Sequence, residues 1–432
     1  MSGRVPYGEL RADWLKLRGC LFDPMTRLPA LPAVVNDVRR RLEVGEEVGL
    51  VYVELPSGEG ELANGWRVHD RLILRIAEAL TAFRDRVLGE RSIVAQLGVR
   101  SDQLVVFVDL EDGTQTFDRR HGQLVAELEA ALTGDFDAAP MPRSAWVPLR
   151  PEPKVRHERS IYAAVARAQE LCRRAEARLQ GRRLGELRRM LEASEISTRF
   201  QPIVDLAAGG VYGYEALSSA PGTEPFESPE TLFTFAEESH LIVELERLCR
   251  QGAFGAFGSL SSPAKLFLNC SAHAFGDPDL VEDLAAGAEA QGLAPSDVVL
   301  EITERVAITE WQEFRQRLGE VRQAGFQVAI DDMGSGYSSL HVVGEIRPDY
   351  LKVDATLVHR LHESAIKQDL LEALAGLAEK IGARPIAEGI EVAEELAAVR
   401  SLGVSLGQGF LFARPQSATV GGAVRFAVPP RS

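Results

Sequence analysis

Acids and amides recur at the ends of short apolar runs through the second half of this chain. The runs read GYEAL with Glu215, LFLN with Asn269, LEITE with Glu301 and Glu304, AIDD with Asp331 and Asp332, LKVD with Lys352 and Asp354, and IAEGIE with Glu388 and Glu391. Any one of these, Glu215 included, would pass for an incidental loop acid. Six converging ends are another matter, because like charges crowded in a concave rim repel unless cations or a lysine neutralise them. Hard oxygen donors, with no His or Cys among them, select Mg²⁺ or Mn²⁺ over zinc. The number of donors suits two ions, the usual clamp for phosphodiester hydrolysis. Lys352 is a compact cation suited to orienting a nucleophile or a phosphate.

These side chains need a scaffold that brings strand ends together. A strand that buries Val, Ile and Leu and then finishes on an acid fits a parallel barrel whose rim holds cations. Apolar runs at 265–270, 297–302, 326–331, 349–353, 384–388 and 406–412 alternate with helical stretches. The span from 196 to 432 is the right length for one such barrel. Side chains alternate along a strand, so Lys352 and Asp354 share a face. Asp331 and Asp332 are adjacent and would point apart inside a strand. Both reach one site only if the strand ends there, as Gly334 and Gly336 suggest.

Upstream, residues 1–155 hold strand-like runs at 49–55, 92–99 and 103–110 between expected helices at 32–44, 68–86 and 118–133, an α/β domain. Residues 156–195 read as a helical connector, with Ile161, Val165, Ala168, Cys172, Ala175 and Leu179 forming an a/d seam. One reading is an amphipathic helix packed on its own domain; the other is a connector pairing with a second chain. The seam is short and several of its residues are small, which favours the first. A net charge of −15 argues against a DNA-binding surface but not against a phosphate ligand bound through cations. The chain shows no membrane span, no signal-peptide core and four scattered cysteines without metal spacing, so a cytoplasmic protein with reduced thiols is expected.

The ordered series QPIV (201–204), YEAL (214–217), LNCSA (268–272), EITE (301–304), DDMGSGYSSL (331–340), PDYLKVD (348–354), AEGIE (387–391) and GQGFLFARP (407–415) resembles the EAL family of cyclic-di-GMP phosphodiesterases. The resemblance implies a modified (β/α)₈, TIM-like barrel over 196–432 that hydrolyses cyclic-di-GMP to linear pGpG. It implies metal ligands at Glu215, Asn269, Glu301, Asp331, Asp332 and Glu388. Lys352 would contact the attacking water or the scissile phosphate, and Asp354 would hold that lysine and the metal shell in place. Together with Glu215 and Glu388, these form the implied catalytic group. Glu304 would brace the loop that follows Asp332, while Glu391 and Gln408 would support the ligands from behind. Gln201 and Gln408 would face the substrate, Gln201 on its guanine side. One position departs from the family: an arginine usual two residues after EAL is Ser219 here. A hydroxyl cannot fork onto phosphate as a guanidinium does.

Residues 23–34, DPMTRLPALPAV, resemble the opening of the GGDEF family, which is nucleotidyl-cyclase-like. Where that family has its GGDEF signature, this chain has Val99, Arg100, Ser101, Asp102 and Gln103. The resemblance implies a degenerate, catalytically silent domain that serves regulation or dimerisation, and so a homodimer. A non-hydrolysing cyclic-di-GMP receptor or a protein-interaction module is the alternative for the barrel; Ser219 favours it and the intact set of acids opposes it.

Overall fold

The computed structural model describes residues 17, 19–55, 65–110, 113–132, 141–152, 154–222, 224–226, 228–258, 264–303, 311–334 and 340–418. The chain divides into two units, Met1–Gln180 and Gly181–Ser432.

In the first unit, strand β1 (Val48–Glu54) lies between β3 (Gln103–Asp109) and β4 (Arg143–Pro148), with β2 (Ile93–Gln96) outside β3, and every pairing is antiparallel. Alternation along β1 sorts two apolar layers. Leu50 and Tyr52 pack with helix α1 (Leu31–Glu43) and the first turns of α4 (His157–Ala193). Val51 and Val53 pack instead with α2 (Gly65–Phe83) and α3 (Thr114–Leu132). Strand β4 is not among the strands expected from sequence. Among the described strands it pairs only with β1, and a sheet edge is where a terminal proline such as Pro148 is tolerated. Of the seam residues on α4, Ile161, Val165, Ala168 and Cys172 are buried in this unit's core, whereas Ala175 is exposed. The unit boundary falls inside α4, whose last turns give Leu187 and Met190 to the second unit's core.

The second unit is a closed barrel of eight strands. In chain order they are β5 (Ser197–Asp205), β6 (Val211–Ser219), β7 (Lys265–Asn269), β8 (Val298–Thr303), β9 (Gln327–Met333), β10 (Tyr350–Val353), β11 (Arg384–Ala387) and β12 (Leu406–Gly407). Strand β5 runs antiparallel to both its neighbours, β6 and β12, and the other pairs are parallel. The fold is therefore a TIM-like barrel with one strand reversed, and the start of β5 lies at the rim where the other strands end. Ile203, Phe267, Val299, Ala329, Tyr350, Ile386 and Leu406 plug the barrel interior. Residues of opposite parity, such as Leu268, Leu300 and Ile330, face an outer layer built with helices that include α5 (Ile242–Phe257). A fully buried side chain of this kind contributes about 1.5–3 kcal/mol. This double use of each strand leaves only the strand ends for polar chemistry. The run expected as a strand at 406–412 is one only at Leu406–Gly407. The chain then turns, because Gly409 lies against the backbone of Ile390.

Candidate active site

The barrel plug ends one layer below the rim, and the next inward residue of β10 is Lys352, 1% exposed. Its Nζ lies 2.7 Å from Glu388 Oε1, 2.9 Å from Glu301 Oε2, 3.2 Å from Asp331 Oδ1 and 3.5 Å from Glu215 Oε2. Four strands thus deliver four carboxylates to a single ammonium. Burial works against the charge on Lys352, but the carboxylates outweigh it and raise its pKa well above the lysine range.

The acids do not share equally in that one positive charge. Glu215 also accepts from Asn269 Nδ2 at 3.1 Å and from Gln408 Nε2 at 2.6 Å. Burial opposes its ionisation, yet Lys352 and the two amides hold it below the usual range. Glu301 is wholly buried, and burial followed by the negative charge of Glu215 pushes it well above that range. Burial likewise pushes Glu388 up to about 8. Near neutral pH this floor carries more acid than one lysine can neutralise, so it must take up protons or cations.

Asp331 and Asp332 reach the site together by a local device. The pairing of β9 with β10 slips between Leu351 and Val353, inserting one extra residue on β9. Asp332 takes a left-handed conformation, φ +61°, and Gly334 follows at φ +100°. Inside a regular strand the two carboxylates would point apart; here oxygens of Asp331, Asp332 and Glu388 lie within 4.8 Å of one another. These donors are oxygen alone, and Glu301 Oε1 is buried with no hydrogen-bond partner among the described residues. A hard divalent cation fits both observations.

Gln201 and Gln408 brace Glu215 from the β5 side. Gln201 stands opposite Glu215 in the strand register, accepts from Gln408 Nε2 at 3.1 Å, and donates to the Ala413 carbonyl at 3.1 Å. Above the floor opens a cleft of about 320 Å³ whose wall includes Leu217, Gly389, Glu391 and Phe410. Glu391 sits there as an exposed rim acid. Contrary to expectation, Asp354 is not among the ion-pair partners of Lys352. It caps the short helix Ala355–Val358, accepting from the backbone N of Thr356 at 2.8 Å and from the Thr356 hydroxyl. Glu304 lies outside the described residues.

Two bracing acids escape the sequence reading. Glu395 is buried and accepts from the backbone N–H groups of Glu391, Val392 and Arg360, fixing the turn after Glu388. Its signal was available, since it is an acid at the third position of a helix that begins at Ala393. Glu246 on α5 accepts from Ser271 N at 3.1 Å and steadies the turn after Asn269. Nothing in its local sequence marks it.

Comparison with known proteins agrees with this architecture. Residues 184–415 match the EAL domain family model. The chain is similar to a cyclic di-GMP phosphodiesterase, NbdA, of Pseudomonas aeruginosa, at 27% identity over 80% of this chain and 46% of that protein. It is similar to a probable cyclic di-GMP phosphodiesterase, PdeG, of Escherichia coli K12, at 29% identity over 53% of this chain and 46% of that one. The chain spans less than half the length of these curated relatives. The FimX EAL domain of Xanthomonas citri, solved in complex with c-diGMP, shares the fold, with a TM-score of 0.53 at 21% identity over 58% of this chain and 99% of that one. The reversed-strand barrel, its acid rim and the family match over 184–415 make this chain a member of the EAL family.

Proposed function

We propose that the barrel hydrolyses one phosphodiester of cyclic-di-GMP to linear pGpG with two divalent cations, Mg²⁺ or Mn²⁺. The observation that carries the reading is the convergence of Glu215, Glu301, Asp331 and Glu388 on Lys352 at the floor of an open cleft. Those acids, with Asn269 and Asp332, are the residues that would hold the cations. When bound, the cations lower the pKa of water and neutralise charge on the phosphoryl oxygens.

The chain's own groups then have distinct tasks. Water oxygen bonds to phosphorus as the bond to the leaving 3′ oxygen breaks, and that oxygen takes up a proton. Lys352 keeps its proton at Nζ and presents a fixed positive charge beside the reacting phosphate. Asn269 and Gln408 each donate to a different oxygen of Glu215, which sets the carboxylate plane. Leu217 and Phe410 give the cleft apolar surface against which a purine can lie. Purified protein incubated with cyclic-di-GMP and Mn²⁺ should yield pGpG on chromatography, and Glu215→Ala should yield none. Binding without product would make the chain a receptor instead.

For the first unit, the reading is a degenerate GGDEF-like domain without cyclase activity, acting in regulation or dimerisation. In this reading the signature would lie on the hairpin between β2 and β3. Arg100 takes φ +59° there, a conformation a glycine adopts freely, and its backbone N donates to buried Asp23 at 2.9 Å. Arg100 and Ser101 offer neither glycine's open backbone nor an acid for metal. Incubation with GTP should therefore give no cyclic-di-GMP. The chain is read as a cytoplasmic homodimer; among the described residues no helix is long and apolar enough to cross a membrane. What supports the dimer is apolar surface for a second copy to cover, Ile366 and Leu370 being exposed on the helix Ala365–Ile381.

A further inference from the structure

The reversed strand β5 carries a cation towards the cleft that no element of the catalytic floor uses. Its register with β6 pairs Gln201 with Glu215, Arg199 with Leu217 and Ser197 with Ser219. Phe200 faces outward, packing edge-on against Phe257 of α5, and Thr198 faces the same helix beside Gly252. Alternation therefore puts Arg199 on the inner face with Gln201, one step nearer the rim. Its direct cross-strand neighbour, Leu217, lines the cleft. Arg199 is exposed and makes no hydrogen bond or ion pair with a described residue.

Among the described residues, the other cations near the cleft are engaged. Lys352 is enclosed by four carboxylates, and the Arg414 guanidinium stacks 4.1 Å from the ring centroid of Phe410. A cyclic dinucleotide has two phosphodiesters, and only one can sit at the floor to be cleaved. The other lies across the ring, towards the rim, above a site whose own side chains are mostly acids. Its negative charge needs a protein cation there. Ser219, at the end of β6, supplies none. Arg199 is its diagonal neighbour across the strand pair, at a spacing of about 7–8 Å that a long side chain spans.

We propose that Arg199 binds the phosphodiester that is not hydrolysed, so that the guanidinium holding the substrate comes from β5 and not from β6. This rests on the phosphodiesterase reading of the floor. The guanidinium forks onto two phosphate oxygens, so charge and shape both contribute.

The test measures cyclic-di-GMP affinity by calorimetry in EDTA, and KM and kcat with Mn²⁺, for the unaltered chain, Arg199→Ala, Arg199→Lys and the double variant Arg199→Ala, Ser219→Arg. Arg199→Ala should weaken binding and raise KM by roughly tenfold to a hundredfold, with a much smaller change in kcat. Arg199→Lys should recover part of the loss, because charge returns without the fork. Returning a guanidinium from the diagonal position in the double variant should recover most of it. If Arg199→Ala binds and turns over like the unaltered chain, the inference is overturned and the phosphodiesterase reading stands. If the unaltered chain binds in an Arg199-dependent way but makes no product, the inference stands and the phosphodiesterase reading falls. If the unaltered chain does not bind cyclic-di-GMP at all, both fall.

Discussion

Replacing Glu301 by Gln should stabilise the metal-free barrel and weaken the metal-bound one, a reversal of sign that a merely structural acid would not produce. The four carboxylate oxygens around Lys352 all lie within 3.5 Å of its Nζ, so no two are farther apart than twice that distance. At an effective dielectric of about 20, two like charges about 6 Å apart repel by about 3 kcal/mol. Glu301 has three such neighbours, a repulsion of about 8 kcal/mol, against about 6 kcal/mol of attraction to Lys352 at 2.9 Å. Burial adds to the imbalance, which is why Glu301 is driven well above the usual carboxylate range. An amide of the same shape keeps an acceptor for Lys352 and removes the repulsion. In EDTA, at a pH high enough to ionise the cluster, the Glu301→Gln barrel should gain up to about 2 kcal/mol, or up to about 4–8 °C in Tm, and the gain should shrink as pH falls and Glu301 takes up a proton. With Mn²⁺ at about a hundred times its dissociation constant, the unaltered barrel should gain about 2.7 kcal/mol and overtake a variant that has lost a ligand. Calorimetric scans with EDTA and with Mn²⁺ measure both quantities. A variant that melts lower in EDTA and keeps the full Mn²⁺ gain would refute the reasoning and leave Glu301 as a simple partner of Lys352.

Other perturbations have equally definite outcomes. A Cβ on Gly409 would lie 2.1 Å from the Ile390 carbonyl oxygen and 2.3 Å from its nitrogen, so Gly409→Ala must displace backbone. The cost should be about 1–3 kcal/mol by urea denaturation, with activity falling as Gln408 loses Glu215. Burial raises Glu246 to about 7 despite its bonds to Ser271 and the nearby Arg250. Between the unfolded pKa of 4.5 and that value the folded protein binds more protons than the unfolded one, so stability should fall as pH rises, by up to about 1.4 kcal/mol per pH unit. Glu246→Gln should flatten this slope in urea midpoints taken from pH 5 to 8, and parallel curves for the two proteins would count against it. In the first unit, buried Asp23 accepts from the backbone of Met25, Thr26 and Arg100, so Asp23→Ala should cost that unit about 2–4 kcal/mol in thermal unfolding. Unchanged melting would mean that the Arg100 hairpin stands without it.

Much of the barrel was legible because its strands are punctuated. Most bury an apolar stretch and reach the rim on an acid, an amide or a lysine, so strand, rim and donor are read from the same residues. The adjacent Asp331 and Asp332 even signalled that regular pairing must break there, although the left-handed turn at Asp332 could be seen only in the structure. Asp354 caps a helix where the sequence suggested a partner of Lys352; the threonine two residues on, whose backbone it caps, was the clue. The run after Leu406 is apolar enough for a longer strand, and only the close approach of Gly409 to Ile390 rules it out. Glu246 and Arg199 were silent for a different reason. Their significance comes from register and from packing between distant segments, and local pattern does not encode either.

The most direct test of the account is hydrolysis of cyclic-di-GMP in ¹⁸O-enriched water with Mn²⁺, with the product examined by mass spectrometry. The account predicts linear pGpG carrying one ¹⁸O in its terminal phosphate, with formation stopped by EDTA and by Glu215→Ala. Failure to form pGpG from bound cyclic-di-GMP, or product that persists in EDTA, would contradict a cation-dependent phosphodiesterase at this rim.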